Sequence, residues 1–144
     1  APDVRFTLVS ADGGIDFTEA NLDLAIFWTD GAGEHEGVPL AEPAMVTVAG
    51  PGADSDTRIA WPGCPVDDGE PALRLGDAGL AIDAAANGLG LANVPAMLAE
   101  ADIASGRVRL VREAFAVSRG YWLVAPTPQW RQAKVKALVA ALTA

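Results

Sequence analysis

Residues 80–95 read LAIDAAANGLGLANVP, and this stretch decides the fold class. Leu80, Ala81, Ala84 and Ala85 recur at the spacing of one helical face. Asp77 stands just before it as a natural N-cap, since its carboxylate accepts N–H groups that the first turn leaves unpaired. Gly88 supplies the natural stop, where the chain must leave the right-handed region. Together they predict a helix over 78–87 and an apolar strand over 89–94. Pro95 fits the first position of a further helix running to about Glu100, because its missing N–H is not needed there. Ser105-Gly106 reads as a turn, and the alternation over 107–111 as another strand.

Working outward, residues 44–49 form an apolar strand ended by Gly50-Pro51. Residues 53–70 are rich in Asp, Pro and Gly, with an apolar island at 59–61 and a short strand predicted over 72–75. Residues 22–28 are nearly continuously apolar, broken only by Asp23, as in a buried parallel strand. Residues 4–9 alternate and are rich in β-formers, so a first strand is predicted there. A turn follows at 11–14, then one helical turn at 16–20 with Asp16 and Glu19 at capping-box spacing. Residues 29–37 read as a loop. Beyond the quoted stretch, residues 121–125 form a last strand. Thr127 caps a last helix over 128–142, whose buried stripe is Trp130, Val135, Leu138, Val139 and Leu142. Strands alternate with helices in the second half, which predicts an α/β fold with parallel pairing. No internal repeat stands out.

The chain has 144 residues, enough for one domain or two small lobes. It is 51% hydrophobic, which excludes disorder. No apolar run approaches the ~18 residues of a membrane span, and no basic-then-apolar leader is visible. The sequence opens Ala1-Pro2-Asp3, without a methionine, which reads as a processed or excised piece. Ten basic residues face nineteen acidic ones, a net charge of −9. Binding to duplex needs clustered cations to neutralise phosphates. The densest basic group, Arg107, Arg109 and Arg112, is partly offset by Glu113, so the chain by itself is not expected to bind nucleic acid. Cys64 and His35 are the single residues of their types. They allow no internal disulfide and make no zinc site, and one cysteine fits a reducing, cytoplasmic compartment. No metal and no cofactor is expected.

Three stretches together resemble the effector domain of LysR-type transcriptional regulators. They are residues 21–26 (NLDLAI), the quoted helix–turn–strand at 80–95, and residues 98–110 (LAEADIASGRVRL). Their order and spacing agree with the family, and the closing strand and helix match its end. The wording of residues 81–92 leans toward the branch with glycine-cleavage activators and β-lactamase regulators. The resemblance implies an α/β, two-lobed fold like type II periplasmic binding proteins. One lobe would hold residues 1–40 and 115–144, the other 41–114, with crossovers near 41–43 and 113–119. It also implies a small effector bound between the lobes and homodimers or tetramers formed through effector domains. DNA would be bound through an N-terminal winged helix-turn-helix that these residues do not include. The family's opening strand and helix would precede Ala1, so the chain is expected to lack that unit. A segment and helix that the family carries after Gly50 are also short here.

In two-lobed binders, ligands sit where strands end and helix N-termini point. Four places qualify: Ser10, with Asp12 beyond it; Trp28-Thr29; Gly76-Asp77; and Asn93. The Trp28 indole offers a flat wall and one donor, or packs in a core. Ser10 and Thr29 offer hydroxyls to a ligand, or close local turns. Asp77 reads first as a helix cap. Asn93 suits a ligand amide or carboxylate, or satisfies its own loop. Trp61, in the irregular stretch, completes the set. The effector-sensing reading competes with a stand-alone solute- or metabolite-binding protein of the same fold, and with an enzyme. Asp67, Asp68 and Glu70 are the one acidic group suited to acid–base work, and adjacent acids in such loops are usually solvated. No G-x-S-x-G, Walker or H-E-x-x-H motif is present. Gly88-Leu89-Gly90 follows a helix, the wrong context for a dinucleotide. The chain is therefore read as no enzyme.

Overall fold

The computed structural model describes residues 5–9, 16–19, 21–52, 57–65 and 70–144. The chain divides into two compact units, residues 1–41 with 120–144, and residues 42–119.

The second unit is built on five strands: β3 (Ala44–Ala49), β4 (Arg58–Ala60), β5 (Leu73–Arg74), β6 (Leu91–Pro95) and β7 (Arg109–Ala116). Their order in the sheet is β5-β4-β6-β3-β7. β3 lies between β6 and β7 and is antiparallel to both (Val46 opposite Val94). β4 runs parallel to β5 and β6. Helix α1 (Ala78–Ala86) packs on β6, β3 and β4, and helix α2 (Ala96–Ala104) on β3, β6 and β7. Five consecutive residues of β3, Met45 to Ala49, are buried, so both faces of the strand are covered. The buried residues of α1 are Ala78, Ala81, Ile82, Ala84 and Ala85; four of the five are alanines, which let the helix lie close to the sheet.

The ends of α1 follow from its sequence. The Asp77 carboxylate accepts from the Leu80 N–H at 2.8 Å. Asn87 is the C-cap, and Gly88 leaves the helix at φ +80. The expected strand after it begins at Leu91, and Pro95 closes that strand with extended backbone (ψ 131). The second helix therefore starts at Ala96. It runs past Glu100 to Ala104, because no breaker precedes Gly106, at φ +78. The strand expected at 107–111 lies further on, and β7 includes residues 113–116, which the resemblance placed in a crossover.

The first unit carries a three-stranded antiparallel sheet of order β1-β8-β2, made of β1 (Ala25–Thr29), β2 (Glu36–Pro39) and β8 (Gly120–Ala125). Phe17, Ala25 and Val124 form its core, with Leu22, Phe27, Ala32 and Trp122 packed against them. Phe17 meets Phe27 and His35 edge-on. Asp16 Oδ1 accepts from the N–H groups of Thr18 and Glu19, so the expected cap closes a turn here, not a helix. Leu22 N–H donates to Phe17 O and Asn21 N–H to Thr18 O, with Asn21 at φ 53, the bond pair of a Schellman stop.

Several expectations are corrected. Of the strand expected over 4–9, the described residues 5–9 make none and are exposed, Leu8 at 92%; among the described residues their β-formers find no pairing partner, and a strand exists only by pairing. β1 is not a buried parallel strand: it pairs antiparallel with β8, and Ile26 is 57% exposed. The expected loop at 29–37 hides the start of β2, whose Gly37 and Pro39 are poor strand formers. Among the described residues parallel pairing is confined to β4 with β5 and β6, because β3, β7 and β8 all pair antiparallel. The last helix is two pieces, α3 (Thr127–Trp130) and α4 (Ala133–Leu142), and Thr127 is not a side-chain cap. Of the expected stripe only Val135 is buried, while Leu142 is 46% exposed. The turn predicted at 11–14 lies outside the described residues.

Candidate functional site

The middle of β6, not its end as expected, gathers the densest buried polar group among the described residues. Thr47 Oγ1 donates to Asn93 Oδ1 at 2.5 Å, and both residues are buried. The Trp61 indole N–H donates to the Asn93 carbonyl at 2.8 Å, and Cys64 Sγ lies 3.7 Å from the same oxygen. β3 and β6 hold Thr47 and Asn93 as direct cross-strand neighbours. The segment after β4 brings in Trp61, which is 7% exposed. Two predicted residues, Trp61 and Asn93, are thus joined. Thr47 was not singled out, although one hydroxyl in the apolar run AMVTVA was a signal: a polar side chain in a strand covered on both faces needs a partner there.

A second feature lies at the other side of α1. A shallow depression of about 410 Å³ is lined by Asp77, Gly79, Leu80, Ile82, Asp83, Leu98 and Asp102. Arg107 donates to Asp83 at 2.6 Å and to Asp102 at 3.1 Å, tying α1 to α2. Its hydrogen bonds to Asp83, then to Asp102, hold the Arg107 guanidinium above its ordinary pKa. All three groups face solvent, so the arrangement is a salt-screened clip. Asp77 is occupied as the helix cap, as expected, and Gly76 beside it is exposed.

In the first unit, Trp28 and Tyr121 are cross-strand neighbours with ring centroids 5.0 Å apart. Thr29 Oγ1 donates to the Gly31 carbonyl at 3.3 Å, so its hydroxyl closes a local turn. Ser10, Asp12, Asp67 and Asp68 lie outside the described residues. Among the described residues no group of His, Cys, Asp and Glu is placed to hold a metal, and no helix is long and apolar enough to cross a membrane.

Comparison with known proteins gives this arrangement a setting. Residues 63–144 match the family model described as the LysR substrate binding domain. No curated protein matches the chain by sequence. Among solved structures, the effector domain of the transcriptional regulator AmpR of Pseudomonas aeruginosa is similar at TM-score 0.78 and 18% identity, covering 99% of this chain and 80% of that one. The regulatory domain of CrgA, a LysR-type transcriptional regulator from Neisseria meningitidis, is similar at TM-score 0.75 and 15% identity, covering 99% and 84%. The full-length Vibrio cholerae virulence activator AphB gives 0.68 and 12%, covering 99% and 58%. At such identities the likeness is one of fold.

Proposed function

We propose, from the premise that this chain belongs to the LysR substrate-binding domain family, that it senses a small-molecule effector for a transcriptional regulator. The fold is the mixed α/β, type II periplasmic-binding-protein-like fold of that family's effector domains. The observation that carries the proposal is the family match itself, which runs unbroken through β5, α1, β6, α2, β7 and β8 to the last helix.

On this reading Trp28, Gly76 and the Trp61–Asn93 group are the first side chains and backbone to test as contacts of the effector. Ser10 and Thr29 are tested after them. The chain acts by binding and not by catalysis. An effector that favours one conformation shifts the population toward it, and the change passes to oligomer geometry. DNA is contacted by a winged helix-turn-helix elsewhere in the regulator.

A thermal-shift screen against amino acids, aromatic acids and peptidoglycan fragments tests this. A ligand at a hundred times its Kd stabilises the fold by about 2.7 kcal/mol, a plain rise in melting midpoint. No rise with any compound, in a folded sample, would replace sensing with a purely oligomerising role.

A further inference from the structure

We propose that Asn87 is a spontaneous modification site, whose deamidation the folded turn holds off and whose isoaspartyl product the turn has no room for. Asn87-Gly88 is the single Asn-Gly pair in the chain; Asn21 precedes Leu22, and Asn93 precedes Val94. With no side chain on Gly88, nothing screens its backbone nitrogen from the asparagine side chain. In the reaction that nitrogen attacks Cγ of Asn87. A C–N bond closes a succinimide and the Cγ–Nδ2 bond breaks. The leaving amide takes the Gly88 proton and departs as ammonia. Water then opens the ring at either carbonyl, giving aspartate or isoaspartate.

Asn87 is exposed, so water reaches it, but the nucleophile and the leaving group are both engaged. Gly88 N–H, the nucleophile, donates to the Ala85 carbonyl at 2.9 Å. The Asn87 Nδ2 leaving group donates to the Asp83 carbonyl at 2.9 Å. The backbone at Asn87, φ −85 and ψ 9, continues the helical path and carries the Gly88 nitrogen away from the side chain. Ring closure therefore waits for the end of α1 to open.

The product meets a tight setting. A Cβ on Gly50 would lie 2.6 Å from Ala85 O, 3.1 Å from Ala86 O and 3.2 Å from Gly88 N, so backbone touches backbone there. A Cβ on Gly90 would lie 2.6 Å from Thr57 O. The turn is fixed on both sides. Isoaspartate lengthens the main chain by one carbon inside it, and the new carboxylate sits at the negative end of α1.

The test incubates the full chain, native and unfolded in guanidinium, at mildly alkaline pH. Peptide mapping and isoaspartyl methyltransferase labelling then locate the products. The unfolded chain should convert at Asn87 more than about tenfold faster than the native one, and Asn87→Ser should abolish the signal at that position, leaving only what the Asp-Gly bonds give. Equal rates, or a signal mainly at Asn21 or Asn93, would overturn the proposal. Asn87→Asp carries the charge without the extra backbone carbon. It should melt above the refolded isoaspartyl chain, and equal melting points would overturn the steric part.

Discussion

Thr47 and Asn93 set the clearest case at the scale of single residues. Their side chains meet inside a sheet whose two strands are otherwise apolar at that point. A buried polar group that loses its partner retains the cost of leaving water, typically about 1–3 kcal/mol. Thr47→Val keeps the shape of the side chain and removes the hydroxyl that Asn93 Oδ1 accepts from. Its unfolding free energy in urea should fall by about 1–3 kcal/mol, with the slope unchanged. A neutral Thr47→Val would mean that the bond contributes nothing, and that Asn93 is held by its other contacts. The sequence exposed one half of this pair. Asn93 stood out at the end of a strand, but which strand faces it is a long-range fact that no local pattern carries. Asp77 was the opposite case: the cap and the glycine stop are local and the structure agrees at both, while on the expected helix face Ala81, Ala84 and Ala85 are buried but Leu80 is 48% exposed, with Ile82 buried instead.

At the scale of elements, the close approach of α1 to the end of β3 makes a sharp prediction. Gly50 follows β3, and a Cβ there would strike the Ala85 carbonyl at 2.6 Å, a backbone atom that cannot swing aside. Gly50→Ala should therefore destabilise the chain by about 1–3 kcal/mol, the range for overpacking. Gly76→Ala is the matched control, since its Cβ would meet nothing nearer than Leu80 Cδ1 at 3.8 Å. It should leave the urea midpoint close to that of the parent, and parity between the two variants would remove the steric account. The same elements show what was legible. β3 matches its expected span, and α1 is within a residue of it, because an unbroken apolar run and a capped helical face are both short-range signals. β2 was missed because Gly37 and Pro39 weaken a strand that exists only through its ladder with β8. Gly37 is needed there, since a Cβ would lie 2.9 Å from Leu123 O. The break between α3 and α4 carries no glycine or proline at residues 131–132, and nothing in the sequence marks it.

Over the whole molecule, charge decides how the chain meets nucleic acid. The excess of nine acidic charges repels a phosphate backbone at long range. Its densest basic group is also engaged locally. Arg107 is held by Asp83 and Asp102, and the Arg112 guanidinium lies 3.9 Å from the centre of the Phe115 ring. Sequence order made the three arginines look like a patch; the fold turns Arg107 toward acids on two helices instead. Duplex binding driven by counterion release weakens with salt, with a slope of about −0.9 in log K per phosphate neutralised. On that account this chain is expected to neutralise none. In a gel-shift or anisotropy titration it should leave duplex DNA unbound at low salt, where any electrostatic contact is strongest, and show no salt slope. Binding at low salt that falls steeply as salt rises would show a cationic surface that the described residues do not present. It would also move the DNA-reading function, here assigned elsewhere in the regulator, into this chain.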